Sequence, residues 1–262
     1  MDNVKTTTIP SRVSLFTTCL TDSFFPHAAL ATVRLLRFLG CEVDLPAGQT
    51  CCGQPQFNNG CHDQARSLAR HFLDTFADSP CVVSPSASCT AMIRDYYPLL
   101  FENDPDLPRI QNMVAKTWEI TEFITQILRA NLRSCRPHAA GKVTYHYSCH
   151  SRGIHLAPQV TIDLIRSIEG IEYLPLDKMD QCCGFGGTFA VKMPEISQAL
   201  VADKAACILA TGADTVVVND GGCTLNIAGY CRRHRIPVRF VHIVQLLAES
   251  LGLINDIREE IP

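Results

Sequence analysis

The sequence lacks the long apolar run that a membrane-spanning helix requires. Its most apolar window, residues 199–218, is interrupted by Asp203 and Lys204, whereas a span needs about 20 predominantly apolar residues. The first ten residues are polar and rich in threonine, without the charged start and apolar core of a signal peptide. We therefore expect a cytoplasmic protein with no membrane span.

Basic clusters are also scarce, which argues against nucleic acid as a partner. The formal net charge is −3, and the longest basic run is the Arg-Arg-His-Arg of residues 232–235, whereas binding phosphates requires a positively charged face.

A dinucleotide fingerprint is missing too. Residues 184–187, Gly-Phe-Gly-Gly, lack the spacing of G-x-G-x-x-G and follow a cysteine pair instead of a strand. Any hydride chemistry is therefore expected to belong to a partner protein.

Cysteine, in contrast, is abundant, with 14 in 262 residues. The hydrophobic fraction of 47% and the charged fraction of 19% are typical of a globular protein. Its length accommodates one large domain or two ordinary ones. In a reducing compartment a disulfide framework explains so many cysteines poorly. A metal site or a redox centre is the favoured interpretation.

The triplet Cys-Cys-Gly occurs twice, at residues 51–53 and 182–184, and reveals an internal repeat. Flanking cysteines match as well, because the offsets between copies are 149 − 19 = 130, 182 − 51 = 131 and 223 − 89 = 134. Such a long period indicates a duplicated domain and not a short solenoid repeat. We predict a first cysteine-rich unit over residues 11–134 and a second over 135–262. The cysteines in register are Cys19, Cys51, Cys52, Cys89, Cys149, Cys182, Cys183 and Cys223.

Short apolar segments alternate with helical patterns in both units. The predicted strands cover residues 13–16, 41–45, 81–84, 143–147, 171–174, 215–218 and 238–241. The main predicted helices cover residues 26–39, 61–76, 118–130, 158–168 and 194–210, and residues 102–116 are expected to form a surface connection. This alternation predicts an α/β fold of two pseudo-symmetric units, each a parallel sheet with helices on both faces.

All eight registered cysteines follow a predicted strand or open the next helix. Ligands of open α/β sheets bind at the carboxyl ends of the strands, and helix N-termini there stabilise thiolates. Four thiolates per unit suit a [4Fe-4S] cluster or a structural zinc ion. Zinc is less favoured, because the eight cysteines include no Cys-x₂₋₄-Cys pair. We expect the two sites to lie near the interface of the units, within reach of electron transfer.

The cysteine spacing resembles a known family. Each unit has a strand followed by a cysteine, then Cys-Cys-Gly, then a cysteine-containing turn. This pattern, which occurs twice, is similar to the CCG domain of heterodisulfide reductase B and its relatives. The Pro-Ser-Ala-Ser-Cys of residues 85–89 and the Trp-Glu-Ile-Thr-Glu-Phe of residues 118–123 most closely resemble the lactate-utilisation protein A family. The resemblance covers nearly the whole chain.

This resemblance implies an iron–sulfur electron-transfer subunit of a multi-protein system that oxidises L-lactate to pyruvate. The chain would be a non-flavin subunit of an L-lactate dehydrogenase complex, an oxidoreductase. Its expected partners are a ferredoxin-like Fe–S subunit and a third small subunit. The expected cofactors are iron–sulfur clusters of the [4Fe-4S] type, held by the eight registered cysteines.

The sequence departs from the fuller motif of heterodisulfide reductase B relatives, in which each unit ends in Cys-x-x-Cys and five cysteines hold a non-cubane cluster. Ser86 and Asp220 stand at the first of those cysteine positions. A four-thiolate cluster is therefore easier to build, and Asp220 is an additional candidate ligand through oxygen.

Other functions remain open on the sequence alone. They are a thiol–disulfide (heterodisulfide-type) reductase subunit, an electron-transfer subunit of a glycolate or other 2-hydroxy acid oxidase, and a scaffold with structural zinc. Outside the repeat we interpret Cys41, Cys61, Cys81, Cys135, Cys207 and Cys231 as core or surface thiols, Cys61 alone lying near a registered cysteine. We interpret His146 as a packed strand histidine and His150 and His155 as exposed loop residues, with hydrogen bonding to cluster sulfur or proton gating as the alternative. Arg152 is interpreted as a solvated surface residue, with binding of a carboxylate substrate as the alternative.

Overall fold

Two four-stranded parallel sheets frame the fold in a computed structural model that describes residues 10–255. Residues 256–262, the end of the predicted second unit, lie outside the described residues, as do residues 1–9 of the polar N-terminal segment. The strands of the first sheet are β1 (Arg12–Leu15), β2 (Glu42–Asp44), β3 (Val82–Ser84) and β4 (Thr117–Glu119). Those of the second are β5 (His138–Tyr145), β6 (Glu169–Tyr173), β7 (Thr215–Val218) and β8 (Arg239–His242).

Helices connect these strands on both faces of each sheet. The helices of the first half are α1 (Cys19–Phe24), α2 (Pro26–Phe38), α3 (Gln54–Asn58), α4 (His62–Thr75), α5 (Ala87–Ala91), α6 (Tyr97–Leu100), α7 (Leu107–Ala115) and α8 (Ile120–Glu122). Those of the second half are α9 (Cys149–Gly153), α10 (Pro158–Arg166), α11 (Phe189–Lys192), α12 (Pro194–Thr211), α13 (Gly221–Arg233) and α14 (Ile243–Ser250). Short π-helical segments cover Met92–Tyr96 and Phe123–Ile127, and a 3₁₀ turn covers Leu132–Cys135.

The strand order places a crevice at the same point of each sheet. The orders are β2-β1-β3-β4 and β6-β5-β7-β8, with every neighbouring pair parallel. The chain therefore leaves β1 for β2 on one side and then returns to β3 on the other, and the second sheet repeats this path. Beyond the carboxyl ends of the strands, such a reversal opens a crevice in which ligands bind.

Alternating side chains bury both faces of each sheet. In β3, Val83 packs into a core cluster shared by the two units, whereas Val82 packs into a second cluster under α4 and α7. In β7, Val217 joins the shared cluster and Val216 joins a third one under α12 and α13. The two units thus share one continuous apolar core, to which α2 and α14 both contribute.

The predicted α/β fold with two similar parallel-sheet units is confirmed. The helix predicted from residue 118 is wrong at its start, because β4 occupies Thr117–Glu119 and the helical segment begins only at Ile120. The side chain of Glu119 ends the strand by accepting hydrogen bonds from the backbone N–H groups of Thr121 and Glu122. The connection predicted over residues 102–116 is also wrong in part, since α7 lies within it.

The division into units 11–134 and 135–262 remains a prediction. None of the helices described between residues 10 and 255 combines the length and the apolar character that crossing a bilayer requires.

Candidate metal centre

Both Cys-Cys-Gly loops adopt the same backbone conformation. Gly53 and Gly184 have φ angles of 86° and 84°, a left-handed conformation that L side chains rarely adopt. Each glycine donates its backbone N–H to the sulfur two residues earlier, Gly53 to Cys51 Sγ at 3.4 Å and Gly184 to Cys182 Sγ at 3.3 Å. The triplet therefore needs its glycine to turn an amide towards the first thiol.

A side chain from a following helix fixes the second cysteine of each triplet. The Tyr97 hydroxyl donates to the Cys52 carbonyl at 2.8 Å, and the Asn226 amide donates to the Cys183 carbonyl at 2.8 Å. Both cysteines are buried, and each is 3% exposed. Different residues thus perform the same task in the two units.

The remaining cysteines lie at helix N-termini. Cys19 and Cys149 are the first residues of α1 and α9, and Cys89 and Cys223 are the third residues of α5 and α13. At that end of a helix the backbone N–H groups have no partner within the helix and the partial charge is positive, which favours thiolates.

Within each unit neighbouring thiols influence one another's pKa in a chain. In the first unit the pKa of Cys51 depends on Cys19 and Cys52, and that of Cys52 on Cys51 and Cys89. The second unit repeats this order, and the sulfurs of Cys183 and Cys223 are 3.2 Å apart. The second chain is Cys149, Cys182, Cys183 and Cys223.

One thiol in each group carries negative charge readily. Hydrogen bonds from Cys19 and then Cys52, helped by the Gly53 amide, lower the pKa of Cys51 to about 3. Cys149 and Cys183 lower the pKa of Cys182 in the same way, to about 2. The partner thiols Cys19 and Cys149 have raised pKa values. In Cys19 the main cause of the raised pKa is the hydrogen bond to Cys51, followed by burial.

All eight registered cysteines line one cavity of about 180 Å³. The cavity lies between the units, at the carboxyl ends of both sheets. Four of the cysteines are buried, while Cys19 and Cys182 are exposed and mark its solvent side. The two predicted sites are therefore parts of a single chamber.

Polar contacts across the interface hold the chamber together. The backbone N–H of Ser88 donates to Asp220 Oδ2 at 2.9 Å, and the Ser86 hydroxyl donates to the same oxygen at 3.3 Å. A 3.0 Å hydrogen bond joins the Gln54 amide to His150 Nε2. His242 accepts the backbone N–H of Val244 at Nδ1, so its Nε2–H donates to the Pro85 carbonyl at 3.0 Å.

Asp220 and Ser86 act as helix N-caps. Asp220 Oδ1 accepts the backbone N–H of Gly222 at the start of α13, and Asp220 Oδ2 serves the first unit. Ser86 Oγ accepts the backbone N–H of Cys89 in α5. The predicted ligand role of Asp220 remains a prediction. Its carboxylate lines the cavity, and both of its oxygens already accept hydrogen bonds.

His146 lies directly beneath the second group of cysteines. Its ring is 1% exposed, and neither ring nitrogen has a hydrogen-bond partner. A ring nitrogen and the sulfurs of Cys183 and Cys223 all lie within 4.8 Å of one another. Burial, followed by the charge of Lys204, lowers the pKa of His146 to about 3, so the imidazole is neutral at neutral pH. The predicted packed strand histidine is buried, yet it faces the site.

The cysteines outside the repeat line no part of the cavity. Cys41, Cys81 and Cys231 are buried core thiols, Cys61 and Cys135 are exposed, and Cys207 is half-buried. Arg152 pairs with Asp180 at 3.5 Å on the surface, where both side chains are more than half exposed. These placements agree with the interpretation of these residues as core and surface groups.

The chemistry of the donor set fits an iron–sulfur cluster. Thiolates are the usual ligands of such clusters, and amide donors to sulfur tune their potentials. The chamber supplies eight thiols, two of which accept glycine amides, and a buried imidazole without a partner lies beside Cys183 and Cys223. A buried polar group without a partner is costly, and a group bound beside Cys183 and Cys223 would give the His146 imidazole one.

Comparisons with known proteins agree with this donor set. The family model of the CCG cysteine-rich domain matches residues 13–94 and 143–228. "Lactate utilization protein A" of Exiguobacterium sp. is 43% identical over 245 residues, which cover 91% of this chain and 98% of that protein. The proteins of the same name from Halalkalibacterium halodurans and Macrococcus caseolyticus are 41% and 43% identical, covering 90% and 93% of this chain and 96% and 99% of theirs. The chain therefore belongs to the lactate utilization protein A family of cysteine-rich CCG-domain proteins.

Proposed function

We propose that this protein is an iron–sulfur electron-transfer subunit of a multi-protein system that oxidises L-lactate to pyruvate. The observation that carries the proposal is the single chamber lined by all eight registered cysteines. The lactate substrate is taken from the relatives, whose names place them in lactate utilisation.

In this proposal Cys19, Cys51, Cys52 and Cys89 hold one cluster, and Cys149, Cys182, Cys183 and Cys223 hold another, each of the [4Fe-4S] type. A bound iron–sulfur cluster supplies one-electron transfer. The protein's own groups do the rest. The four buried thiols are shielded from solvent, the amides of Gly53 and Gly184 donate to sulfur, and the helix N-termini stabilise negative charge.

Two sites in one chamber suit the stoichiometry of the reaction. Oxidation of lactate to pyruvate releases two electrons and two protons, and each site would take one electron at a time. Because both sites open into the same cavity, electrons would cross between the units over a short distance. The exposed edge at Cys19 and Cys182 would face the electron-transfer partner.

The proposed partners are a ferredoxin-like Fe–S subunit and a third small subunit, and the letter in the relatives' name fits such a set of proteins. The proposed location is the cytoplasm. The sequence contains no dinucleotide fingerprint, so the chemistry at the lactate carbon is assigned to a partner.

Growth on lactate tests the physiological role. Deletion of the gene is expected to abolish growth on L-lactate as sole carbon source and to leave growth on pyruvate unchanged. Complementation with the wild type or with Cys207→Ser should restore growth, whereas Cys183→Ser should not. Normal growth of the deletion strain on lactate would show that lactate is not the substrate. If that strain failed to grow on glycolate, the substrate would be glycolate or another 2-hydroxy acid.

A second candidate function is thiol–disulfide reduction. It is favoured by the low pKa of Cys51 and Cys182, each beside partner thiols, since a thiolate is the attacking species in disulfide exchange. This enzyme would reduce a disulfide substrate in metal-free form and would lose activity on alkylation. The electron-transfer proposal predicts that metal-free protein is inactive in both reactions.

A further inference from the structure

The imidazole of His146 is a buried donor without a protein partner. It lies at 1% exposure, both nitrogens lack hydrogen bonds, and a nitrogen is within 4.8 Å of the sulfurs of Cys183 and Cys223. A neutral imidazole has one N–H and one lone pair, and leaving both unpaired inside a protein is costly. A group bound beside Cys183 and Cys223 would supply the missing partner of the lone pair.

The first unit has no counterpart of this donor. The offset that relates Cys19 to Cys149 relates Phe16 to His146, since 146 − 16 = 130. The ring of Phe16 packs edge-on against Phe72 at 5.0 Å between centroids, within the apolar cluster under the first site. The same position beneath the two groups of cysteines is thus apolar in one unit and polar in the other.

A second residue shows the same exchange. The space beside Gly53 is bounded by Ala65 and Leu68, and the space beside Gly184 by Ser197 and Leu200, so α4 and α12 correspond at an offset of 132. This offset relates Phe72 to Lys204, since 204 − 72 = 132.

Lys204 is fully buried. Its ammonium donates to the carbonyls of Lys178 and Met179. The pair Phe16 and Phe72 of the first unit is therefore replaced by His146 and Lys204.

We propose that His146 is a fifth protein donor of the second site and binds iron through an imidazole nitrogen alongside Cys183 and Cys223. This inference rests on the proposed function to the extent that an iron–sulfur group occupies that site. Asp220, the other candidate for a fifth donor, has both oxygens engaged in helix capping and interface hydrogen bonds. The imidazole is unengaged and lies beside the buried thiols.

The two sites are consequently different in kind. The first has four thiols above a phenylalanine pair, and the second has four thiols, an imidazole and a buried ammonium. A nearby positive charge stabilises the additional negative charge of a reduced cluster and therefore raises its potential. The second site is therefore the electron acceptor of the two, and electrons run from the first unit to the second.

Pulsed EPR on protein labelled with ¹⁵N-histidine tests the ligand. The chain is reconstituted anaerobically with ferrous iron and sulfide, reduced, and measured for nitrogen hyperfine coupling. We expect a strong ¹⁵N coupling in the wild type, its loss in His146→Gln, and its retention in His150→Gln. His150 is the matched control because its Nδ1 is 3.6 Å from Cys149 Sγ, which makes it the competing histidine.

Three results would overturn the inference. They are a weak coupling or none in the labelled wild type, a strong coupling that His150→Gln removes, and a strong coupling that His146→Gln retains. If His146→Gln does not fold, the labelled wild type and His150→Gln still decide, since a strong coupling that survives in His150→Gln excludes the competing histidine. Absence of iron after reconstitution would contradict the proposed function itself, whereas bound iron without histidine coupling contradicts only this inference.

A redox titration of the same samples gives an independent readout. The wild type should show two reduction waves at different potentials. In His146→Phe the wave of higher potential should move towards the potential of the other wave. If the wild type showed a single reduction wave for both sites, at a potential that His146→Phe did not change, the two sites would not differ as proposed.

Discussion

Replacing Gly184 by alanine should destabilise the protein more than the same change at Gly53. Both glycines have φ near +85°, and placing alanine in that conformation costs about 1–2 kcal/mol at either position. At Gly184 the new Cβ would lie 2.7 Å from the Ser197 carbonyl oxygen, closer than real Cβ contacts come, and 3.1 Å from Leu200 Cβ, which is a tight contact. At Gly53 the nearest atom is the Ala65 carbonyl oxygen at 3.4 Å, an ordinary contact.

The clash at Gly184 adds an overpacking cost of about 1–3 kcal/mol, because a helix backbone cannot move as a flexible side chain can. Gly184→Ala should therefore cost about 2–5 kcal/mol in total, against about 1–2 kcal/mol for Gly53→Ala. Urea unfolding of the metal-free protein measures the difference as a shift of midpoint at constant m-value. Gly48→Ala is the control for conformational strain alone, since Gly48 has φ of +81° and no atom within 4 Å of the added Cβ. Equal losses in all three variants, or a larger loss at Gly53, would refute this account of the repeat.

Three further predictions concern the chamber and the buried carboxyl groups. Cys183→Ser should lose about half of the iron bound by the wild type, because one of two four-thiolate sites is broken, while Cys135→Ser should lose none; equal iron in both variants would count against the assigned ligands. Asp220→Asn should bind as much iron as the wild type. Asp220→Ala should lower the free energy of unfolding by about 1–3 kcal/mol, because it leaves N–H groups uncapped. Loss of iron in Asp220→Asn with normal stability would instead favour Asp220 as a ligand. Burial raises the pKa of Glu119 to about 7, so folding favours the protonated carboxyl group. The contribution of this carboxyl group to the free energy of unfolding is therefore full below about pH 4.3 and declines as the pH rises to 7. Glu119→Gln should remove this decline, gaining about 3 kcal/mol on the wild type between pH 5 and pH 8 in urea unfolding, and parallel pH profiles of the two proteins would contradict it.

Much of the candidate site was predictable from spacing. The offsets of the cysteines and the position of each one after a strand were enough to group them, because parallel strands with helical crossovers bring their carboxyl ends to one edge. What spacing does not predict is that both groups face a single chamber. That arrangement depends on contacts between the units, such as those of Asp220 with Ser88 and of His242 with Pro85.

The surroundings of His146 and Lys204 could not be predicted from the sequence for the same physical reason, since both depend on contacts that form only in the folded chain. His146 is interpreted as a packed strand histidine because it lies within the predicted strand 143–147, and only the structure shows that its nitrogens are unpaired. Lys204 sits within an apolar helix, and its burial depends on two carbonyls from a distant loop. A signal was nevertheless available in the sequence, since the offsets of the repeat pair both residues with phenylalanines of the first unit.

Errors in the fold arose where short elements have weak patterns. Three residues, Thr117–Glu119, form β4, and their apolar neighbours belong to the following helical segment, so the periodicity of the helix masks the strand. The helix Leu107–Ala115 begins with proline at its second position, where proline is tolerated. Composition rich in Asp and Pro therefore does not distinguish a helix start from a loop.

The metal content of the protein prepared without oxygen decides whether the eight-cysteine chamber holds iron–sulfur clusters. Iron, acid-labile sulfide and zinc are measured on the same anaerobically reconstituted sample, together with its EPR spectrum after reduction. We expect iron and sulfide in similar amounts, with a signal from a reduced cluster that Cys52→Ser and Cys183→Ser each diminish. Zinc alone, or no metal with full reactivity of the thiols, would contradict the assignment of the eight-cysteine chamber to electron transfer.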